Sequence, residues 1–124
     1  MATFSNQVIL FGDDTICDAF SASPGTNIRE PPRVGWGAQM SWLYARKADV
    51  FNRGYLGYNS EWALRLIPSL FPVSASSSSA NRRLTVLVSF GANDCVKGNR
   101  FVCVDKFKQN LLAIVQAIKA RHCR

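Results

Sequence analysis

Two apolar runs, at residues 8–11 and 84–90, predict buried β-strands, and the shorter segment 49–52 predicts a third strand between them. The run at 84–90 is β-branched and apolar on both faces, which is typical of a strand in the middle of a sheet. A glycine that favours a turn follows each run within two residues, at Gly12, Gly54 and Gly91.

Apolar residues recur at helical spacing after each of these strands. The first predicted helix has an apolar stripe expected to pack on the sheet, formed by Trp36, Met40, Leu43 and Tyr44. The second has Ser60 as its expected N-cap and a buried face of Ala63, Leu66, Ile67 and Leu70. The third has an expected buried face of Phe107, Leu111, Ile114, Val115 and Ile118. Strands that alternate with helices in this way predict a parallel sheet with right-handed crossovers, in an α/β fold.

The length of 124 residues fits a single globular domain. Residues 21–33 are rich in proline and residues 72–83 are rich in serine, so we expect both segments to be surface loops. We assign the serine-rich segment no chemistry.

The net charge of +7 is concentrated towards the C-terminus. Between positions 97 and 124, seven Lys or Arg residues accompany one acidic residue, Asp105. These charges lack interleaved stacking aromatics and a known docking motif, so we expect a solvated basic helix and no nucleic-acid partner.

No apolar run approaches the roughly 18 residues of a membrane-spanning helix, and residues 1–7 contain no Lys or Arg of a signal peptide. We therefore expect a cytoplasmic protein without a membrane span. The four cysteines form no C-x-x-C pair and have no histidine-bearing companion motif, so we expect no structural zinc site. We also expect no cofactor.

Polar side chains and glycines follow all three predicted strands, in residues 12–15, 52–59 and 91–94. Active groups of an open parallel sheet gather at the carboxyl ends of the strands. Taken in this order, the three segments resemble the first three sequence blocks of SGNH (GDSL-type) hydrolases, most closely the isoamyl acetate-hydrolysing esterases. The matching segments are FGDDTI at 11–16, GWG at 35–37, LYARKADV at 43–50, NRGYLGYN at 52–59 and FGAND at 90–94.

The resemblance covers nearly the whole chain and implies the family's three-layer, flavodoxin-like fold, with a parallel sheet flanked by helices. It also implies hydrolysis of a small ester through a serine nucleophile. The nucleophile position falls on Asp14, and the oxyanion-hole donors fall on the backbone N–H of position 14, on Gly57 and on Asn93. An amide N–H and an Asn side chain both donate to the negative charge of a tetrahedral intermediate.

Two departures from the family's pattern predict impaired catalysis. Position 14 holds Asp instead of Ser, so the attacking hydroxyl is absent. If the carboxylate itself attacked an ester, it would form a mixed anhydride beside Asp13. Its negative charge would also repel an oxyanion. The family's base comes from a later Asp-x-x-His block, whereas the only histidine of this sequence is His122, which we expect to be solvated at a frayed terminus. We therefore interpret residues 1–124 as an incomplete domain of the family that lacks its C-terminal strands.

A different hypothesis starts from three carboxylates at the strand ends, those of Asp13, Asp14 and Asp94. Carboxylate oxygens are ligands for Mg²⁺ or Ca²⁺, so the alternative function is a binding module for a divalent cation or a small ligand.

Family members continue through further strands beside the strand predicted at residues 84–90. Without them, residues 84–90 would form an apolar sheet edge, and such an edge pairs readily with another chain. We therefore also predict self-association through this strand.

Overall fold

The computed structural model describes residues 6–23, 33–73 and 83–122. Five strands occur in these ranges, namely β1 (Asn6–Gly12), β2 (Ala22–Ser23), β3 (Arg33–Val34), β4 (Ala48–Gly54) and β5 (Leu84–Ser89). Three of them form a parallel sheet in the order β4-β1-β5, while β2 and β3 form a small antiparallel pair. The predicted parallel sheet is therefore confirmed, with the first strand at its centre.

Helices follow each strand of the parallel sheet. They are α1 (Asp14–Cys17), α2 (Trp36–Leu43), α3 (Ser60–Leu70) and α4 (Val104–His122), and a short 3₁₀ turn, Asp18–Phe20, follows α1. Their order after β1, β4 and β5 agrees with the predicted α/β fold, a parallel sheet flanked by helices. Among the described residues, no helix combines the length and the apolar character required to cross a bilayer.

The core lies between the sheet and the pair α3 and α4. Phe11 of β1 is completely buried there and makes edge-on contacts with Phe71 and Phe90, at ring-centroid distances of 5.7 and 5.0 Å. Burial of one side chain of this size stabilises the fold by about 2–3 kcal/mol. The neighbouring Leu10 is also fully buried, and since successive side chains of a strand point to opposite faces, it packs on the other side of the sheet.

The predicted N-cap of the second helix, Ser60, is wrong. Asn59 caps α3, because its side-chain oxygen accepts the N–H of Trp62 at 2.9 Å, and Ser60 is the first helical residue. The hydroxyl of Ser60 donates to Asp94 instead. Pro68 lies inside α3, which continues to Leu70.

Two of the predicted apolar faces are buried only in part. In α2, Gly37 is the buried residue, whereas Trp36, Leu43 and the C-cap residue Tyr44 are exposed. In α4, Ile114 and Ile118 are buried as expected, but Val115 is exposed and the polar Asn110 is buried. The polar residue is buried because it joins a hydrogen-bond network, which the apolar spacing does not reveal.

Within the described part of the chain, β5 lies at an edge of the sheet and not in its middle. Val86 and Val88 contact the core cluster, whereas Leu87 on the opposite face is 39% exposed, so the expected burial on both faces is wrong. Self-association through this edge stays a prediction, which size-exclusion chromatography at increasing protein concentration tests. Residues 24–32 and 74–82, which make up most of the two predicted surface loops at 21–33 and 72–83, lie outside the described residues.

Candidate functional site

The candidate site lies where the three parallel strands end. Gly12, the last residue of β1, is in register with Gly54 of β4 and with Ser89 of β5. Because β1 is the central strand, the segments that follow the three strands are neighbours in space. The structure thus brings together the three segments that the sequence analysis selected.

Asp13 joins the first of these segments to the third. Its side chain caps α1 by accepting the N–H of Thr15 at 3.3 Å, and its second oxygen accepts the N–H of Ala92 at 3.3 Å. The residue is only 2% exposed. Its carboxylate is therefore used to hold two loops together. The next residue, Asp14, is half-buried, and the region around its carboxylate, which Gly57 and Asn93 border, is the pocket.

The carboxylate of Asp14 accepts hydrogen bonds from both of the other predicted site residues. Its Oδ2 atom lies 3.0 Å from the backbone nitrogen of Gly57 and 2.5 Å from Nδ2 of Asn93. One oxygen of this side chain thus occupies the point on which the two donors converge.

Gly57 reaches this position through a backbone conformation that favours glycine. Its φ angle is +76°, in the left-handed region that other residues rarely adopt. A Cβ atom at this position would also lie 3.3 Å from the guanidinium group of Arg100. Glycine here both directs an N–H at the pocket and leaves room for a cation beside it.

The side-chain amide of Asn93 is held on three sides. Besides Asp14, its Nδ2 donates to the carbonyl oxygen of Tyr58 at 3.1 Å, and its Oδ1 accepts from Nη1 of Arg100 at 3.2 Å. Asn93 is 5% exposed. Since the oxygen of the amide is bonded to a cation, its NH₂ group is fixed towards the carboxylate.

Arg100 is the site residue that the sequence analysis missed. It was counted among the charges of the solvated C-terminal segment, and no local pattern distinguishes it from Lys97 or Lys106. Its backbone carbonyl accepts from Nδ2 of Asn59 at 2.9 Å, which anchors the Arg100 loop to the segment after β4.

These contacts lower the pKa of the Asp14 carboxyl below its ordinary value. The largest cause is the hydrogen bond from the Asn93 side chain, followed by the N–H of Gly57, and the charge of Arg100 acts in the same direction. Burial opposes the shift without reversing it. Asp14 is therefore a carboxylate at neutral pH.

Asp94 belongs to a separate, buried network. Both of its oxygens accept the N–H of Ser60 at 3.1 Å, and one accepts the Ser60 hydroxyl at 2.5 Å. Asn110 of α4 donates to that hydroxyl at 2.9 Å. The three carboxylates of the cation hypothesis thus have different partners, and the described residues include no group of three or more His, Cys, Asp or Glu side chains placed to hold a metal ion.

An open groove of about 320 Å³ begins next to the pocket at Tyr58. Trp62, Arg65 and Leu66 of α3 complete its lining, and the ring of Trp62 meets that of Tyr58 edge-on at 5.8 Å. The only histidine of the sequence lines neither the pocket nor this groove. His122 is the last residue of α4 and is exposed, and its ring contacts Phe71 at 5.9 Å.

Comparison with known proteins gives consistent sequence and structural similarities. The chain is 38% identical to a GDSL esterase/lipase of Arabidopsis thaliana over 93% of its own length and 45% of that protein. It is 31% identical to the isoamyl acetate-hydrolyzing esterase of Saccharomyces cerevisiae, over 95% and 47% of the two chains. The chain spans less than half the length of these curated relatives. No model of a known protein family matches it.

The fold is similar to that of AlinE4, a solved SGNH-hydrolase family esterase. The TM-score is 0.66 at 19% sequence identity, and the match covers 95% of this chain and 55% of the other. At this identity the likeness concerns the fold.

Proposed function

Because this chain belongs to the SGNH (GDSL-type) hydrolase family of esterases, we propose that its pocket is the family's ester-binding pocket with Asp14 at the nucleophile position. We further propose that Asp14 impairs ester hydrolysis by occupying the pocket itself. One observation carries the proposal. The donors that would stabilise an oxyanion, the N–H of Gly57 and Nδ2 of Asn93, both donate to one oxygen of Asp14.

The electrostatics of this arrangement oppose catalysis. An oxyanion hole accelerates acyl transfer because its donors meet negative charge that develops only in the transition state. Here the donors already meet a full negative charge. A substrate carbonyl oxygen would have to displace that carboxylate, and the tetrahedral intermediate would then form beside a like charge.

The groups that activate a nucleophile also support impairment. A carboxylate has no hydroxyl to deprotonate, and its attack on an ester would produce a mixed anhydride rather than an ordinary acyl-enzyme. The described pocket contains no imidazole, because the one histidine of the sequence lies at the end of α4. Replacing Asp14 by Ser would supply the hydroxyl without supplying a base.

Hydrolysis of p-nitrophenyl acetate tests the proposal. We compare the unaltered protein with D14S, D14N and N93A, and use D18A as a matched control because Asp18 is an exposed aspartate outside the pocket. We expect every variant to release p-nitrophenol no faster than D18A does. Turnover by the unaltered protein that falls at least about tenfold in both D14N and N93A would contradict impairment, since Asp14 and Asn93 would then act catalytically.

A further inference from the structure

The loop that carries Arg100 is fixed to the site on two sides. The N–H of Val102 donates to the carbonyl of Asp94 at 3.0 Å, and the carbonyl of Arg100 accepts from Asn59 at 2.9 Å. A turn closes the loop itself, because the N–H of Phe101 donates to Gly98 at 3.2 Å. The position of Arg100 beside the pocket is therefore set by backbone contacts and does not depend on its long side chain alone.

The guanidinium group adds a full positive charge to a pocket that otherwise has neutral donors. Its Nη1 donates to Oδ1 of Asn93, and its carbon and nitrogen atoms lie 3.3–3.4 Å from the point where a Cβ of Gly57 would be. Arg100 is an exposed residue, and its charge acts on the carboxylate at the centre of the pocket, since it helps to lower the pKa of Asp14.

A permanent cation changes which ligand the pocket favours. Neutral N–H donors suit a carbonyl oxygen that becomes charged only in the transition state, whereas a guanidinium binds an anion in its ground state through charge-assisted, planar hydrogen bonds. The group already bound at the point of convergence is a carboxylate, that of Asp14.

We propose that this pocket is a receptor for a single carboxylate group, with Gly57 and Asn93 as its hydrogen-bond donors and Arg100 as its cation, and that Asp14 fills it from within the chain. The ligand class is a small monocarboxylate, for which the β-methylene and carboxylate of Asp14 are the covalent stand-in. This proposal rests on the proposed function in one respect, since it uses the same pocket.

Replacing Asp14 by Gly removes the atoms that acetate contains. The D14G variant should therefore bind acetate, and the binding is measured by isothermal titration calorimetry at constant ionic strength with chloride as the competing anion. We expect saturable binding by D14G, and at least about tenfold weaker binding by the unaltered protein and by D14N, in which a side chain still fills the pocket.

Arg100 is tested in the D14G background. We expect D14G/R100Q to bind acetate at least about tenfold more weakly than D14G, and D14G/R100K to be intermediate, because lysine keeps the charge without the planar fork. Lys97 supplies the matched control, since it is an exposed cation of the same segment, and D14G/K97Q should bind as D14G does.

Each outcome bears on a different claim. A D14G variant that keeps the circular dichroism spectrum of the unaltered protein and binds no acetate overturns the carboxylate receptor, and equal affinity in D14G and D14G/R100Q removes Arg100 from it. If D14G loses that spectrum, D14A with formate as the probe gives the same test, because alanine removes only the carboxylate. Ester hydrolysis by the unaltered protein would contradict the proposed impairment and leaves these binding results unaffected.

Discussion

Asp14 and Asp94 follow neighbouring strands at the same end of the sheet, but their surroundings differ. Asp14 is half-buried and accepts hydrogen bonds from Gly57 and Asn93 in the pocket. Asp94 is 3% exposed and accepts both the N–H and the hydroxyl of Ser60 in the interior. Two identical side chains thus serve a pocket in one region and the framework of the fold in the other.

Burial accounts for the difference. Water screens the charge of a half-buried carboxylate, so its hydrogen bonds contribute little net stability. Water does not reach a buried acceptor, so removal of that acceptor leaves its donors without a hydrogen-bond partner. The comparison therefore predicts large losses of stability in the Asp94 region and small ones in the pocket.

The largest expected effect is that of D94A. Removing this carboxylate leaves two buried donors of Ser60 without an acceptor, and we expect the free energy of unfolding to fall by about 3 kcal/mol. Urea denaturation followed by circular dichroism measures the loss. The control is D105A, which removes an exposed carboxylate from the first turn of α4. A loss smaller than about 1 kcal/mol in D94A would remove the contrast between the two regions.

An intermediate effect is expected for G57A in the pocket region. Alanine in the left-handed region costs about 1 kcal/mol, and its Cβ would press on Arg100. G98A is the comparison, because Gly98 also has a positive φ, +122°, but has no atom within 4 Å of a Cβ. Urea denaturation should show a lower free energy of unfolding for both variants, whereas only G57A should weaken acetate binding in the D14G background. An equal weakening in G98A would show that strain alone affects the pocket.

The smallest effect concerns the pH dependence of Asp14. Because its pKa is lowered in the folded state, the stability that its charge contributes is complete above the unfolded pKa of about 3.9 and is lost as the pH falls through the folded value. The difference in unfolding free energy between the unaltered protein and D14N should stay below about 1 kcal/mol. Urea denaturation at pH 6 and in steps below pH 4 should show this difference shrinking in acid, and a difference that grows in acid would contradict the lowered pKa.

The strand-end segments illustrate how far sequence reasoning extends. The apolar runs locate β1, β4 and β5, and the polar residues that follow them include Asp14, Gly57 and Asn93, which the structure brings together. Arg100 could not be selected in the same way, because its role depends on a turn and on contacts with distant loops. The same reason explains the misplaced N-cap at Ser60, whose hydroxyl is directed to Asp94 by the packing of the third segment.

The sequence by itself determined the alternation of strands and helices, the family resemblance and the replacement of a serine by Asp14, because apolar periodicity and residue identity are local properties. Only the tertiary structure decided that Gly57 and Asn93 donate to one oxygen of that carboxylate and that Arg100 lies beside them. Hydrogen bonds require donors and acceptors to meet within about 3 Å. That convergence arises from the order β4-β1-β5 and from loop contacts between residues far apart in the chain.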